Sequence, residues 1–127
     1  MVNHHGVNSL DKKHKKLVIN KTNKNDIIDI LGPPSTTSTF DTDVWIYIER
    51  KTSTAGAHKL GKKILLVNNV LVLEINNKGL LAKKNFFDKE SMQKNKIDKS
   101  VTVISYSKRS FVYKFLSSMR QKVNDPL

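Results

Sequence analysis

Histidine is the residue type in this chain best suited to bind a transition metal or to act as a general base. The chain has four histidines and no cysteine. Two of them are adjacent, so they cannot form the i, i+4 pair that places two metal ligands on one helix face, and no carboxylate cluster accompanies them. We therefore expect no metal site and no cofactor. The histidines are His4, His5, His14 and His58.

Serine and carboxylate residues lack the arrangement that hydrolytic catalysis requires. A nucleophilic hydroxyl needs a positioned histidine, an acid and an oxyanion site. Ser35 and Ser38 lie in a loop without a Gly-x-Ser-x-Gly sequence or any equivalent. Asp41 and Asp43, beside Trp45, are better interpreted as loop and strand-entry residues than as an acid/base pair. We expect a protein that is not an enzyme.

Three aromatic residues and an arginine offer binding chemistry instead. They are Phe40, Trp45, Tyr47 and Arg50. One interpretation makes the aromatic side chains ordinary core residues. The other makes them an exposed cluster that docks a partner protein or a lipid headgroup, because aromatic residues and arginine are the usual anchors of interfaces.

A helix, a stop signal and a strand must position this cluster. Asn23 is placed to cap a helix, and Asp26 can complete a capping box. Gly32 can adopt a positive φ at the helix end, and Pro33-Pro34 cannot continue the helix. The predicted apolar helix face comprises Ile27, Ile28, Ile30 and Leu31.

Period-two patterns predict strands after this helix. In residues 44–50, Val44, Ile46 and Ile48 alternate with Trp45, Tyr47 and Glu49. Residues 70–75 are apolar on both faces apart from Glu74, which is typical of a central strand covered on both sides. A turn at 76–79 leads to a third strand from Leu80, and residues 63–67 are predicted to extend the second strand backwards.

The two ends of the chain have weaker patterns. Residues 1–8 are predicted to be an extended polar lead, and Ser9 to cap a short helix with Leu10, Leu17 and Val18 facing inward. Residues 88–100 are predicted to be a loop and 101–106 a fourth strand. The last predicted helix either covers the free sheet face or binds a partner or lipid. Its apolar stripe comprises Phe111, Val112, Phe115, Leu116, Met119 and Val123.

The length of 127 residues allows one small domain, and the net charge of +12 favours a polyanionic partner. Arg50, Arg109 and Arg120 are the only arginines, and Lys, Asn and Ile are jointly abundant, as in AT-rich coding sequences. Compositional bias, contact with anionic lipid and nucleic-acid binding therefore all remain open explanations of the charge. No run of apolar residues is long enough to span a membrane.

Residues 23–50 resemble the BamE family, also called the SmpA/OmlA domain, whose members are small outer-membrane lipoproteins that assist insertion of β-barrel proteins. The signature of that family is roughly G-x-T-x-x-x-V-x-x-x-L-G-x-P, followed by a W-x-Y strand. Its positions match Asn23, Ile27, Leu31-Gly32 and Pro34, then Phe40, Trp45, Tyr47 and Arg50. Lys21 and Asn23 replace the usual glycine and threonine.

We expect an α+β fold in two layers, in the order α-α-β-β-β, with a three-stranded antiparallel sheet, as the resemblance implies. The apolar stripe near the end of the chain adds an extra C-terminal helix, which the resemblance does not cover. We divide the chain into residues 1–22 (polar lead and first helix), 23–87 (BamE-like core) and 88–127 (charged loop and amphipathic helix).

The implied function is that of a non-catalytic accessory subunit of the barrel-assembly (Bam) complex at the periplasmic face of the outer membrane. Its implied partners are a BamD-like lipoprotein, the barrel insertase and phosphatidylglycerol, with Phe40, Trp45, Tyr47 and Arg50 as the candidate contacts. We expect an upstream signal and a lipidated cysteine outside the given chain. A small basic nucleic-acid-binding protein and a generic envelope interaction module are the alternatives.

Overall fold

A five-stranded antiparallel sheet lies between two groups of helices in this protein. The computed structural model describes residues 2–38, 42–54, 64–93 and 95–124, with only the backbone of 121–124. The strands are β1 (Val2–Gly6), β2 (Thr36–Ser38), β3 (Asp43–Ser53), β4 (Ile64–Ile75) and β5 (Leu81–Phe87). The helices are α1 (Leu10–Lys13), α2 (Lys24–Leu31), α3 (Ile97–Ser100) and α4 (Arg109–Asn124), with 3₁₀ turns at His14–Lys16, Val101–Val103 and Tyr106–Lys108.

The α+β class is confirmed, but the sheet has more strands than the three predicted. Strand β3 pairs along its length with β4, and β4 pairs with β5. The other edge of β3 is covered by β1 at residues 49–53 and by β2 at residues 44–46. The sequences of β1 and β2 lack apolar alternation, so they form strands because the long free edge of β3 supplies backbone partners.

Helices α1 and α2 cover one face of the sheet. Apolar residues from these helices pack against the odd-numbered residues of β3 and β4, as the predicted alternation requires. Strand β4 is central and covered on both sides, which confirms the prediction made from its apolar composition. This core comprises Leu10, Leu17, Ile27, Leu31, Tyr47, Leu71, Leu73, Ile75 and Leu81.

The C-terminal segment covers the opposite face, which confirms the prediction that the last helix covers the free face of the sheet. Val112, Leu116 and Met119 of α4 belong to the same buried cluster as the even-numbered residues of β3 and β4. The predicted fourth strand at 101–106 is wrong. Val101 and Ile104, three residues apart, are both buried around a 3₁₀ turn, a spacing that suits helical rather than extended backbone.

The capping signals were predicted correctly at one helix and wrongly at the other. Asn23 and Asp26 form the capping box of α2, and Gly32 follows with φ +79°. Ser9 adopts a left-handed conformation (φ +55°), and its side chain makes no capping bond. Val18 and Ile28, both predicted to face inward, are 47% and 40% exposed.

None of the helices in the described part of the chain combines the length and the apolar character needed to cross a membrane.

Candidate functional site

Tyr47 is a core residue, which removes it from the predicted exposed cluster. Its side chain is fully buried beneath α2, and its hydroxyl donates a 2.8 Å hydrogen bond to the carbonyl oxygen of Gly32. Burial raises the pKa of this hydroxyl well above its usual value. Tyr47 therefore fixes the end of α2 to the sheet and cannot touch a partner in this conformation. Phe40 lies outside the described residues.

Trp45 and Arg50 lie on opposite faces of the sheet, so they do not form one cluster. Residues 45 and 47 face the helices α1 and α2, whereas 44 and 46 face the C-terminal segment. Residue 50 is even-numbered like 44 and 46, so it faces the C-terminal segment, and it pairs across the sheet with Asn68. The two residues are also about 17 Å apart along the strand at the usual rise per residue. Of the three predicted contacts that the structure describes, Trp45 is the one that is only half-buried on the α2 face.

Trp45 is half-buried beside the first turn of α2. The Nζ of Lys24 lies 5.9 Å from the centroid of the Trp45 ring, which is within the range of a cation–π contact. The same ammonium group forms an ion pair with Asp43. The backbone N–H of Lys24 donates to the carbonyl oxygen of Gly79 at 3.2 Å, so α2 is held against the turn between β4 and β5.

A polar cleft of about 340 Å³ opens next to this lysine. Its lining residues are Lys24, Thr42, Asp43, Asn76, Asn77, Lys78 and Gly79. The Oδ1 of Asn76 accepts hydrogen bonds from the backbone N–H groups of Lys78 (2.9 Å) and Leu80 (3.1 Å), which holds the turn in shape. Two ammonium groups, one carboxylate, two amides and a hydroxyl can together bind an anionic, hydroxyl-bearing group.

The sequence predicted the two halves of this cleft but not the cleft itself. The helix start at Asn23 and the turn at 76–79 are both evident from residue types. Their proximity depends on an isolated bridge between Asn23 and Leu80, which joins segments far apart in the chain. Sequence reasoning therefore did not single out Lys24 and Lys78 as candidate site residues, because each is one of many lysines in the sequence.

A buried carboxylate organises the other end of the α1 and α2 face. Glu49 is 2% exposed and accepts hydrogen bonds from the backbone N–H groups of Ser9 and Leu10, both at 2.9 Å. His4 Nε2 lies 3.2 Å and Lys51 Nζ 3.9 Å from the same carboxylate. Burial alone would raise the pKa of Glu49, but the hydrogen bonds from Leu10, Ser9 and His4 and the charge of Lys51 lower it overall.

His14 has a structural environment rather than a catalytic one. Its ring stacks on Phe86 with 4.4 Å between centroids, and Lys84 donates from Nζ to the backbone carbonyl oxygens of His14 and Leu17. Burial, together with the charges of Lys84 and Lys15, lowers the pKa of His14. Across the described ranges, no three histidine, aspartate or glutamate side chains converge in the manner of a metal site.

Comparison with known families gives a match that covers most of the chain. The model of the family described as "Outer membrane protein assembly factor BamE domain" matches residues 8–85. This range contains α1, α2 and the residues that line the polar cleft, and it ends within β5. A comparison with curated proteins gave no match. Members of the family are accessory assembly factors on the periplasmic side of the outer membrane. Because the match includes more than half of the chain, this protein belongs to the BamE family.

Proposed function

We propose that this protein is a non-catalytic accessory subunit of the barrel-assembly complex, where it stabilises the complex and contacts anionic phospholipid. The observation that carries the proposal is the half-buried Trp45 with the ammonium group of Lys24 5.9 Å from its ring, next to the polar cleft. An aromatic ring beside a cation is a common anchor of protein interfaces. The proposed partners are a BamD-like lipoprotein and the barrel insertase.

The contact surface in this proposal consists of Trp45, Lys24 and Lys78. Trp45 supplies apolar area for a partner side chain or an acyl chain. Lys24 and Lys78 supply positive charge for a carboxylate or a lipid phosphate, and the Lys24–Asp43 ion pair holds the first lysine beside the ring. Phe40, which lies outside the described residues, and Arg50, on the opposite face of the sheet, stay as predicted contacts that need separate substitutions.

A pull-down from membranes tests the protein partners. The tagged protein is recovered from nuclease-treated, detergent-solubilised membranes, and the co-purifying proteins are identified by mass spectrometry. We expect the barrel insertase and its lipoproteins, and we expect Lys78→Glu to reduce their recovery. Lys114→Glu, an exposed position on α4 at the opposite sheet face, makes the same charge change and is the matched control. Recovery that is identical for both variants would remove the cleft from the proposal.

Vesicle co-sedimentation tests the lipid contact. Vesicles that contain phosphatidylglycerol are compared with pure phosphatidylcholine vesicles, using wild type, Lys78→Glu and Lys114→Glu. We expect selective binding to the anionic vesicles that Lys78→Glu weakens more than Lys114→Glu. Equal losses would show that the net charge of +12, rather than the cleft, attracts the membrane.

The same pull-down distinguishes the nucleic-acid alternative. If the protein loses all its partners after nuclease treatment and binds duplex DNA or RNA with an affinity that falls steeply with salt, then the polyanion is a nucleic acid. The proposed role in barrel assembly would then be wrong for this chain.

A further inference from the structure

One part of the sheet edge has no backbone partner among the residues that the structure describes. Strand β5 pairs with β4 at residues 70–75, whereas in the described part of the chain residues 64, 65 and 67–69 of β4 pair with β3, and Leu66 forms a bulge between them. Within the described ranges, no other backbone hydrogen bond reaches residues 64–69. A row of N–H and C=O groups therefore points away from β3. The carbonyl oxygen of Leu65 shows this direction, because it accepts a hydrogen bond from the exposed Nζ of Lys89 at 3.5 Å.

The side chains of this open edge are unusual for an unpaired strand. Residues 64–69 read Ile-Leu-Leu-Val-Asn-Asn and carry no charge. Ile64 and Leu66 are 41% and 49% exposed. Proteins normally protect free edges with charged side chains, as the exposed Lys83 does on β5. An uncharged, apolar edge is instead a template for another strand.

The charges around the edge favour an acidic partner over a second copy of this chain. Lys51 pairs across the sheet with Val67, and the ammonium group of Lys89 lies at Leu65. The whole chain carries a net charge of +12, so two copies would repel each other. An acidic segment would be attracted to the same edge.

We infer that residues 64–69 of β4 bind an extended acidic peptide segment by strand addition. The segment combines apolar residues, which pack over the exposed Ile64 and Leu66, with acidic residues, which are attracted to Lys51 and Lys89. Backbone hydrogen bonds to the free groups of β4 supply the affinity common to all such segments. This binding site does not depend on the proposed role in barrel assembly.

A designed peptide tests the site directly. The probe is a fluorescently labelled peptide of about seven residues, a usual strand length, in which valine and glutamate alternate. Its binding to the full chain is followed by fluorescence anisotropy. Two further versions of the probe are N-methylated at every second residue, one at the odd and one at the even positions. In one version the methyl groups replace the N–H donors that face β4, and in the other they replace N–H groups that face away from it. We expect one methylated peptide to bind about tenfold more weakly or not at all, and the other to bind like the parent.

Two substitutions locate the binding site on the protein. Leu66→Glu removes apolar contact and repels the probe, so we expect affinity to fall about tenfold or more. Val103→Glu also replaces an exposed apolar residue with glutamate, at a 53% exposed position outside the sheet, and it serves as the control. Leu65→Pro removes an outward N–H and should also weaken binding, while far-UV circular dichroism checks that each variant is folded.

Several results would overturn the inference. The first is no saturable binding by the wild-type chain. The second is equal binding of both methylated peptides, or of a glycine–glutamate peptide with the same charge, since either would show attraction by charge alone. The third is a dimer of the free protein that Leu66→Glu dissociates, because the edge would then bind a second copy rather than an acidic segment.

Discussion

At the scale of single residues, two side chains decide how the N-terminal segment joins the sheet. Glu49 replaces the cap that Ser9 was predicted to supply, because its carboxylate reaches the free N–H groups at the start of α1 from β3. Gly6 allows β1 to approach β3 closely at φ +89°. Neither role depends on chemistry with a substrate, and both can be measured as stability.

We predict that Glu49→Gln destabilises the protein by about 1–3 kcal/mol at neutral pH, because the amide has one acceptor oxygen where the carboxylate has two. Chemical denaturation measures the loss. Glu90→Gln is the control: Glu90 pairs with Lys96 on the surface, where ion pairs contribute little. Equal effects of the two substitutions would contradict a structural role for Glu49.

The lowered pKa of Glu49 predicts the direction of a pH effect. A carboxyl group with a lower pKa in the folded state contributes stability that is complete above its unfolded-state pKa, close to the ordinary 4.5. That contribution is lost as the pH falls through the folded-state pKa. We therefore expect the stability difference between wild type and Glu49→Gln to shrink on acidification below about pH 4.5. A difference that is constant across this range would contradict the prediction.

We predict that Gly6→Ala costs about 2 kcal/mol or more, since it combines a left-handed backbone with a steric clash. An added Cβ would lie 2.0 Å from the carbonyl oxygen of Ile48. Gly79→Ala has a similar φ but open space around the Cβ, so it should cost only about 1 kcal/mol. Thermal unfolding of both variants separates the clash from the backbone conformation.

At the scale of elements, α2 is the segment whose sequence and structure agree best. Its capping box is complete: the Asn23 Oδ1 accepts from the Asp26 N–H at 2.8 Å, and the Asp26 carboxylate accepts from the Asn23 N–H at 3.2 Å. Ile27 and Leu31 face the core. Because the first turn carries Lys24, the cap also positions the cleft beside Trp45.

We predict that Asn23→Ala lowers the free energy of unfolding by about 1 kcal/mol, the usual value of a lost helix cap. Asn25→Ala changes an exposed residue inside the same helix, and it should be neutral or slightly stabilising because alanine is the better helix former. Urea unfolding of the two variants tests this. If both variants lose the same stability, the cap does not contribute as the geometry indicates.

At the scale of the whole molecule, the sheet joins two cores that lie on its opposite faces. One core contains the family-matched helices α1 and α2 with Tyr47, and the other contains α4 with Val112 and Leu116. The alternating residues of β3 and β4 contribute to both. We therefore expect the C-terminal segment to unfold together with the rest of the protein.

We predict that Leu116→Ala destabilises the whole protein by about 2–5 kcal/mol, the range for a buried leucine. Trp45 fluorescence reports unfolding from the opposite face of the sheet, and it should shift with the same midpoint as far-UV circular dichroism. Tyr113→Ala, at a 41% exposed position of α4, is the control. A Trp45 transition unaffected by Leu116→Ala would show that the two cores unfold separately.

The sequence alone determined the features that local chemistry controls. These include the capping box and stop of α2, the alternation in β3, the central position of β4 and the apolar stripe of α4, because each depends on residue types at short spacing. The family resemblance also rested on such a local run, around Asn23, Leu31 and Trp45.

Only the tertiary structure decided which of these features meet. Pairing along the free edge of β3 converts the polar segments of β1 and β2 into strands, although neither has the pattern of one. Packing beneath α2 buries Tyr47, and strand parity separates Trp45 from Arg50. The Asn23–Leu80 bridge brings Lys24 to Lys78. These outcomes depend on contacts between residues distant in sequence, and periodicity within a short segment contains no information about them.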